Sequence, residues 1–114
     1  MKPHIQALGR LKQGQMNKTE LSYDKSLKEM MAAGIIAWYK FEGIKFRLAD
    51  NTFYTPDFVV MRDNGEMEVH EVKGFWTDDA RVKIKVAAEI YPFKFMAFKP
   101  IPLKRGGGFA VEEF

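Results

Sequence analysis

The chain has 114 residues, 46% of them hydrophobic and 14% aromatic, and carries a formal net charge of +3. This length suits one domain, and the apolar content is high enough for a buried core, which argues against wholesale disorder. The absence of cysteine excludes disulfide bonds and cysteine-ligated zinc. No apolar run approaches the roughly 20 residues that cross a bilayer, and residues 1–15 lack the apolar stretch of a signal peptide. We therefore expect a soluble cytoplasmic protein.

Basic residues are concentrated at the start of the chain. Four of them precede the first acidic residue, Glu20: Lys2, Arg10, Lys12 and Lys18. Residues 1–16 show no clear periodicity, so we interpret them as a basic arm that contacts DNA or is exchanged between subunits. Lys12 and Lys18 are its candidate nucleic-acid contacts. Ordinary solubilising surface charge explains the composition equally well.

The first predicted helix begins after Asn17, an N-cap candidate followed three residues later by Glu20. Its apolar positions recur at helical spacing: Tyr23, Leu27, Met30 and Met31. Gly34 predicts its end. Glu20 lies on the same face as these apolar residues and is therefore expected to point toward the sheet, although it could simply complete a capping box with Asn17.

Three predicted strands follow. Residues 35–42 are rich in β-branched and aromatic residues, and residues 44–48 are a candidate extension after a bend. The second strand spans residues 53–61, with Pro56 indicating an edge or a bulge. The turn sequence Asp63-Asn64-Gly65 predicts a hairpin, so residues 66–73 form its antiparallel partner.

Thr77 predicts the N-cap of a second helix, which runs to about Ile90. Three of its apolar residues share one face: Val82, Val86 and Ile90. Residues 93–98 alternate into a fourth strand, and residues 100–114 are expected to form an irregular tail. The predicted order, α-β-β-β-α-β over residues 17–99, describes a single α/β domain with a mixed sheet flanked by helices.

The third strand carries two charges at the end of an apolar face. Alternation along a strand puts Glu71 and Lys73 on the same side as Met67 and Val69. Charges in such a place cost several kcal/mol unless they are paired or bind a metal. An exposed ion pair between Glu71 and Lys73, which contributes at most about 1 kcal/mol, is the simpler alternative.

Asp57, at the start of the second strand, lies close to the same end of the hairpin. With Asn64-Gly65 as a two-residue turn, Asp57 faces Val72 and is adjacent to Glu71 and Lys73, although a bulge would shift this register. Two carboxylates a few Å apart repel unless a cation lies between them. Such oxygen ligands suit Mg²⁺, which keeps several waters. The sequence therefore predicts a Mg²⁺ site, with Lys73 placed to orient a water or stabilise charge on a phosphate.

The segment Thr55-Pro56-Asp57-Phe58, followed by Glu71-Val72-Lys73-Gly74, resembles the motif of the PD-(D/E)XK nuclease superfamily. The predicted element order is similar to the restriction-endonuclease-like core of that superfamily, over residues 17–98. Asn17-Lys18-Thr19-Glu20 and residues 69–76 further resemble small phage nucleases of the endonuclease I and Holliday junction resolvase type.

This resemblance implies a metal-dependent DNA endonuclease that acts on branched DNA in recombination, in the host cytoplasm if the chain is encoded by a phage. Asp57, Glu71 and the backbone carbonyl of Val72 would bind Mg²⁺, with Mn²⁺ able to replace it. Glu20 would complete the metal site, and Lys73 would position the attacking water. Cutting a symmetric branch calls for two active sites, so we expect a homodimer. A nuclease for nicked, flapped or linear duplex DNA and a non-catalytic DNA-binding module of the same fold remain alternatives.

Four further residues are candidate DNA contacts: Trp76, Arg81, Lys83 and Lys85. Trp76 follows the motif and could stack on a base or cover the core. The three basic residues lie on the second helix, where phosphate contact and a simple solvated face are equally good interpretations.

Overall fold

The computed structural model describes residues 14–114. Our expectations for residues 1–13, including DNA contact by Lys12, lie outside this part of the chain. The described residues form the following elements: α1 (Lys18–Ala32), β1 (Ile36–Phe41), β2 (Phe46–Ala49), β3 (Thr52–Tyr54), β4 (Phe58–Arg62), β5 (Met67–Val72), α2 (Asp78–Ile90), β6 (Lys94–Pro100), a 3₁₀ turn (Leu103–Arg105) and β7 (Phe109–Glu113).

Five of the strands form one sheet, in the spatial order β1-β4-β5-β6-β7. β5 and β6 are parallel, whereas the other neighbouring strands are antiparallel. α1 packs on one face of the sheet through Tyr23 and Leu27, and α2 packs on the other through Ile84 and Ala87. This arrangement confirms the prediction of a single α/β domain with a mixed sheet between helices.

The predicted capping box opens α1. The side chain of Asn17 accepts the N–H of Glu20 at 2.8 Å, and the Glu20 carboxylate accepts the N–H of Asn17 at 2.9 Å. Just before this helix, the N–H of Gly14 donates to the Glu42 carboxylate, and Met16 packs against the α1 core. Residues 14–16, which we assigned to the arm, therefore lie against the domain.

α2 begins as predicted, because the Thr77 hydroxyl accepts the N–H of Ala80 at 3.2 Å. Its apolar line does not face the sheet: Val82 is 57% exposed, Val86 37% and Ile90 49%. Ile84 and Ala87, which lie between them in sequence, make the contact with the core. This leaves an apolar line on the outer surface of the helix.

The strand predicted over residues 53–61 is divided into β3 and β4. Pro56 lacks an N–H and cannot continue a ladder of hydrogen bonds, so Thr55-Pro56-Asp57 forms a break between the two strands. The predicted extension of the first strand is also separate. It becomes β2, which pairs with β3 as a hairpin beside α2.

The register of the β4–β5 hairpin differs from the prediction by one residue. Its loop has three residues, Asp63 to Gly65, and Gly65 adopts a φ of +90° that favours glycine. The N–H of Arg62 donates to the carbonyl of Glu66 at 2.8 Å, and Phe58 pairs with His70. Asp57 is therefore level with Glu71 rather than with Val72.

The tail predicted to be irregular contains β7, which pairs antiparallel with β6. The ring of Phe109 packs at 5.2 Å from the ring of Tyr23, so this strand also contributes to the α1 core. Among residues 14–114, no helix is long and apolar enough to cross a membrane.

Candidate functional site

Asp57, Glu71 and Lys73 meet where β4 begins and β5 ends. Asp57 Oδ2 accepts the N–H of Val72 at 2.8 Å, and Glu71 Oε1 accepts the N–H of Asp57 at 3.3 Å. Each carboxylate is thus held by the backbone of the neighbouring strand. The structure brings the three predicted residues together even though the register differs.

The Glu71 side chain is buried and makes two further contacts. The hydroxyl of Tyr54 donates to Glu71 Oε1 at 2.7 Å, and the Lys73 ammonium lies 3.4 Å from Oε2. The Lys73 side chain remains 31% exposed. Tyr54 is a site residue that the sequence analysis missed; its position three residues before Asp57 was the available signal.

The two carboxyl groups resist ionisation in this place. Burial, followed by the charge of Glu71, raises the pKa of Asp57 from 3.8 to about 8, although the N–H of Val72 acts in the opposite direction. Burial also raises the pKa of Glu71, and the Tyr54 hydroxyl and the Lys73 ammonium oppose that change. One lysine therefore does not offset the cost of two buried negative charges, and a cation bound between them would.

Glu20 reaches this site from the first turn of α1. Its carboxyl group raises the pKa of Asp57 both by its charge and by a side-chain hydrogen bond. The same carboxylate accepts the N–H of Asn17. The two roles considered for Glu20, helix capping and proximity to the acidic pair, therefore coexist in the structure.

The donor set suits a hard divalent cation with few protein ligands. Within residues 14–114, no group of three or more Asp, Glu, His or Cys side chains is arranged to hold a metal ion. Asp57 and Glu71 supply two carboxylates, which matches the one or two that Mg²⁺ usually takes alongside water. The N–H of Val72 contacts Asp57, and binding of a metal by the Val72 carbonyl stays a prediction.

A cleft of about 290 Å³ opens beside Glu71 and Lys73. Its other walls are residues 53–55, from β3 and the segment after it, and the start of α2, including Thr77 and Lys83. Lys83 is exposed, so its ammonium group faces the same space as Lys73. The cleft opens Glu71 and Lys73 to the α2 face of the sheet.

The other predicted DNA contacts lie elsewhere. Arg81 donates to both carboxylate oxygens of Glu112, at 3.1 and 2.5 Å, and its guanidinium lies over the rings of Trp76 and Phe114. Trp76 is half-buried and packs against the α2 core, which agrees with its core-covering alternative. Lys85 lines a separate concavity with Val86, Glu89 and Phe114. Lys18 is exposed at the start of α1.

His70 lies on the opposite face of β5 from Glu71, on the side of α1. Its Nδ1 lies 2.6 Å from the Tyr23 hydroxyl, and its Nε2 lies 2.8 Å from Glu68 Oε1. All three side chains are buried. This chain of hydrogen bonds joins α1 to β5 beneath the site and is structural.

Comparisons with known proteins give one result. No curated protein and no solved structure matches the chain. Residues 13–99 match the family described as protein of unknown function (DUF1064). Because this match covers more than half of the chain and includes Glu20, Asp57, Glu71 and Lys73, the protein belongs to the DUF1064 family.

Proposed function

We propose that this protein is a metal-dependent DNA endonuclease that hydrolyses phosphodiester bonds. The observation that carries the proposal is the pair of half-buried Asp57 and buried Glu71, side by side at the end of the hairpin, with the Lys73 ammonium 3.4 Å from Glu71 and an open cleft alongside. Two carboxyl groups with raised pKa values are costly to keep unless they serve a ligand. The spacing of these residues and the resemblance to the PD-(D/E)XK nucleases support the same conclusion.

Asp57 and Glu71 would hold the Mg²⁺ ion, and Glu20 would act beside Asp57. When bound, the ion supplies Lewis-acid polarisation of the phosphate and a lowered pKa for a water ligand. Tyr54 fixes the orientation of the Glu71 carboxylate through its hydroxyl. The Lys73 ammonium, partly exposed at the cleft, carries donors that orient a water or bind a phosphate oxygen.

The preferred substrate in this proposal is branched DNA, such as a four-way junction, because the chain resembles junction-cutting nucleases. A homodimer follows from the two-fold symmetry of such a branch, since both strands must be cut. The exposed apolar line of α2 supports association, because it leaves three large side chains in contact with water.

The direct test compares a four-way junction with a linear duplex of matched sequence, each incubated with Mg²⁺ and then with EDTA. We expect cleavage of the junction that requires Mg²⁺ and is much slower on the duplex. Equal cleavage of both would contradict the preference for branches. Tight binding without any cleavage would contradict the enzyme itself.

One observation favours a second candidate, a DNA-binding module that does not cleave. Asp57 and Glu71 both accept hydrogen bonds from the protein, so the pair could be purely structural. Lys73→Ala separates the two. For the nuclease, this variant should cut at least about 100-fold more slowly while binding the junction normally. Lys25→Ala, at an exposed position on α1, is the matched control.

A further inference from the structure

The loop that follows β6 begins beside the candidate site. Because β6 runs parallel to β5, both strands end at the same edge of the sheet. The N–H of Lys73 donates to the carbonyl of Phe98 at 3.0 Å. Val72 pairs with Phe98, so Lys73 and Lys99 are the next residues along these two parallel strands. Any DNA backbone that reaches Lys73 is thus within a strand spacing of Lys99, roughly 5 Å away.

Residues 101–108, which we call the wedge loop, are held by their own backbone hydrogen bonds. The N–H of Ile101 donates to the carbonyl of Gly108 at 2.9 Å and closes the loop. Inside it, the N–H groups of Arg105 and Gly107 donate to the carbonyl of Pro102, at 2.8 and 3.1 Å. Pro102 also fixes its own φ. A loop braced in this way loses little conformational freedom when it binds a partner.

Leu103 projects from this braced loop and is 92% exposed. Its neighbours Lys104 and Arg105 are also exposed. Lys99 and Arg105 line a concavity of about 380 Å³ at the base of the loop. No acidic residue occurs from position 98 to 111. The loop therefore presents one apolar tip whose charged neighbours along the chain are all positive.

This combination matches the chemistry of DNA better than that of a protein surface. Proteins that bend or open DNA insert side chains such as leucine between base steps, and neighbouring Lys and Arg residues bind the flanking phosphates. An exposed leucine by itself is ordinary. Here three features together indicate that Leu103 contacts DNA: the loop is rigid, its neighbours are cations, and it lies next to Lys73.

We propose that the wedge loop binds the substrate DNA, with Leu103 entering an open or easily opened base step and Lys104 and Arg105 holding the phosphates beside it. This inference rests on the proposed function, because it takes DNA as the substrate. It adds the element that distinguishes a branch from a continuous duplex: at a branch the stacking is already interrupted, so the leucine enters at a lower cost.

The test uses the full chain in EDTA, so that binding is measured without cleavage. The probe is a four-way junction that carries 2-aminopurine at the branch point, whose fluorescence rises when the base is unstacked. We expect Leu103→Ser to lose at least half of the wild-type rise and to bind the junction about fivefold more weakly, with duplex affinity unchanged. Val111→Ser removes another exposed apolar side chain, on β7, and should behave as wild type.

A second measurement tests the phosphate contacts. Affinity for DNA falls as salt rises, and each phosphate contact to duplex DNA contributes about 0.9 to the steepness of log affinity against log salt. The double variant Lys104→Ala/Arg105→Ala should therefore make this dependence shallower by about 2. Lys25→Ala/Lys94→Ala removes the same charge from α1 and from the opposite end of β6, and should leave the slope unchanged.

If Leu103→Ser showed the fluorescence rise and the affinity of wild type, the proposed insertion of Leu103 would be overturned. An unchanged salt slope in Lys104→Ala/Arg105→Ala would overturn contact by the loop. If the wild-type protein binds neither the junction nor the duplex, both this inference and the proposed function fail. If both signals appear but no DNA is cleaved when Mg²⁺ is added, the wedge loop stands and the nuclease proposal fails.

Discussion

At the scale of single residues, the acidity of Asp57 departs strongly from that of an aspartate in water. Its pKa is raised to about 8 by burial and by the charge of Glu71. The folded protein therefore holds this proton more tightly than the unfolded chain does. The resulting stability is fully present below about pH 4 and is lost as the pH rises through about 8.

The first prediction concerns Asp57→Asn, which removes the charge and can still accept the N–H of Val72. Without metal, this variant should unfold at a higher temperature than wild type at about pH 8.5, and at a similar temperature near pH 4. Each kcal/mol of difference corresponds to about 4–8 °C. Scanning calorimetry at both pH values measures the effect.

The same experiment with Mg²⁺ added tests the metal site. The ion should raise the unfolding temperature of wild type at about pH 8.5 and should not raise that of Asp57→Asn. Asp63→Asn, in the exposed hairpin loop, is the control and should respond as wild type. An equal difference between Asp57→Asn and wild type at both pH values would contradict the assigned ionisation.

The second prediction concerns Tyr54, whose hydroxyl lowers the pKa of Glu71 by donating to it at 2.7 Å. Tyr54→Phe keeps the ring that packs near Phe46 but loses that donor. The pKa of Glu71 should then rise further, so Mg²⁺-dependent cleavage should require a higher pH. The measurement is the pH–rate profile of junction cleavage.

A matched change serves as the control for Tyr54. Tyr39→Phe removes a hydroxyl that donates to Asp24, on the α1 side of the sheet, and should leave the profile in place. A profile of Tyr54→Phe that is unshifted, or shifted to lower pH, would show that this hydroxyl does not act on the ionisation of Glu71.

At the scale of elements, periodicity and turn chemistry were sufficient for the helices and for the core strands. Asn17 and Thr77 cap helices where their sequence positions indicated. Asp57 contacts Val72 despite the wrong register, because a one-residue shift moves a residue along the ladder by only about 3.4 Å. The residue types of the acidic pair and their order along the hairpin were therefore enough to predict that Asp57 and Glu71 lie side by side.

Long-range pairing determined the features that the sequence analysis missed. Residues 109–113 become a strand because β6 offers an unpaired edge, which no local pattern reveals. The β2–β3 hairpin exists because the chain bends away from the sheet at Glu42, whose φ is +52°. Its placement beside α2 brings Tyr54 to Glu71, and that contact cannot be derived from the spacing of the two residues.

The third prediction concerns the connection between α1 and β5. Tyr23→Phe keeps the buried ring but leaves Nδ1 of His70 without its partner at 2.6 Å. A buried polar group left unsatisfied costs about 1–3 kcal/mol. Urea denaturation should show a loss of this size. Tyr39→Phe, whose hydroxyl is only part-buried, should lose less. Equal losses in the two variants would mean that the Tyr23–His70 hydrogen bond contributes no more to the free energy of unfolding than the part-buried one of Tyr39.

At the scale of the whole molecule, the candidate site and the apolar line of α2 lie in different places. The acidic pair, Lys73, Lys83 and the wedge loop lie at one end of the sheet. The exposed apolar line of α2 lies on an outer face and continues into a concavity of about 390 Å³ formed with Phe114. A second copy of the chain could therefore contact α2 without covering the cleft, which the proposed function assigns to DNA.

The fourth prediction is that two copies associate through this face of α2. Val86 is the middle residue of the apolar line and is 37% exposed, so Val86→Lys should leave the fold intact while placing like charges against each other across a two-fold axis. We expect wild type to sediment as a dimer and Val86→Lys as a monomer. The monomer should nick a junction on one strand at a time, whereas the dimer cuts both strands in one encounter. Val111→Lys adds the same charge on β7 and should remain a dimer. A wild type that stays monomeric both alone and on a junction would exclude two-fold cutting, because one chain brings a single acidic pair to the branch.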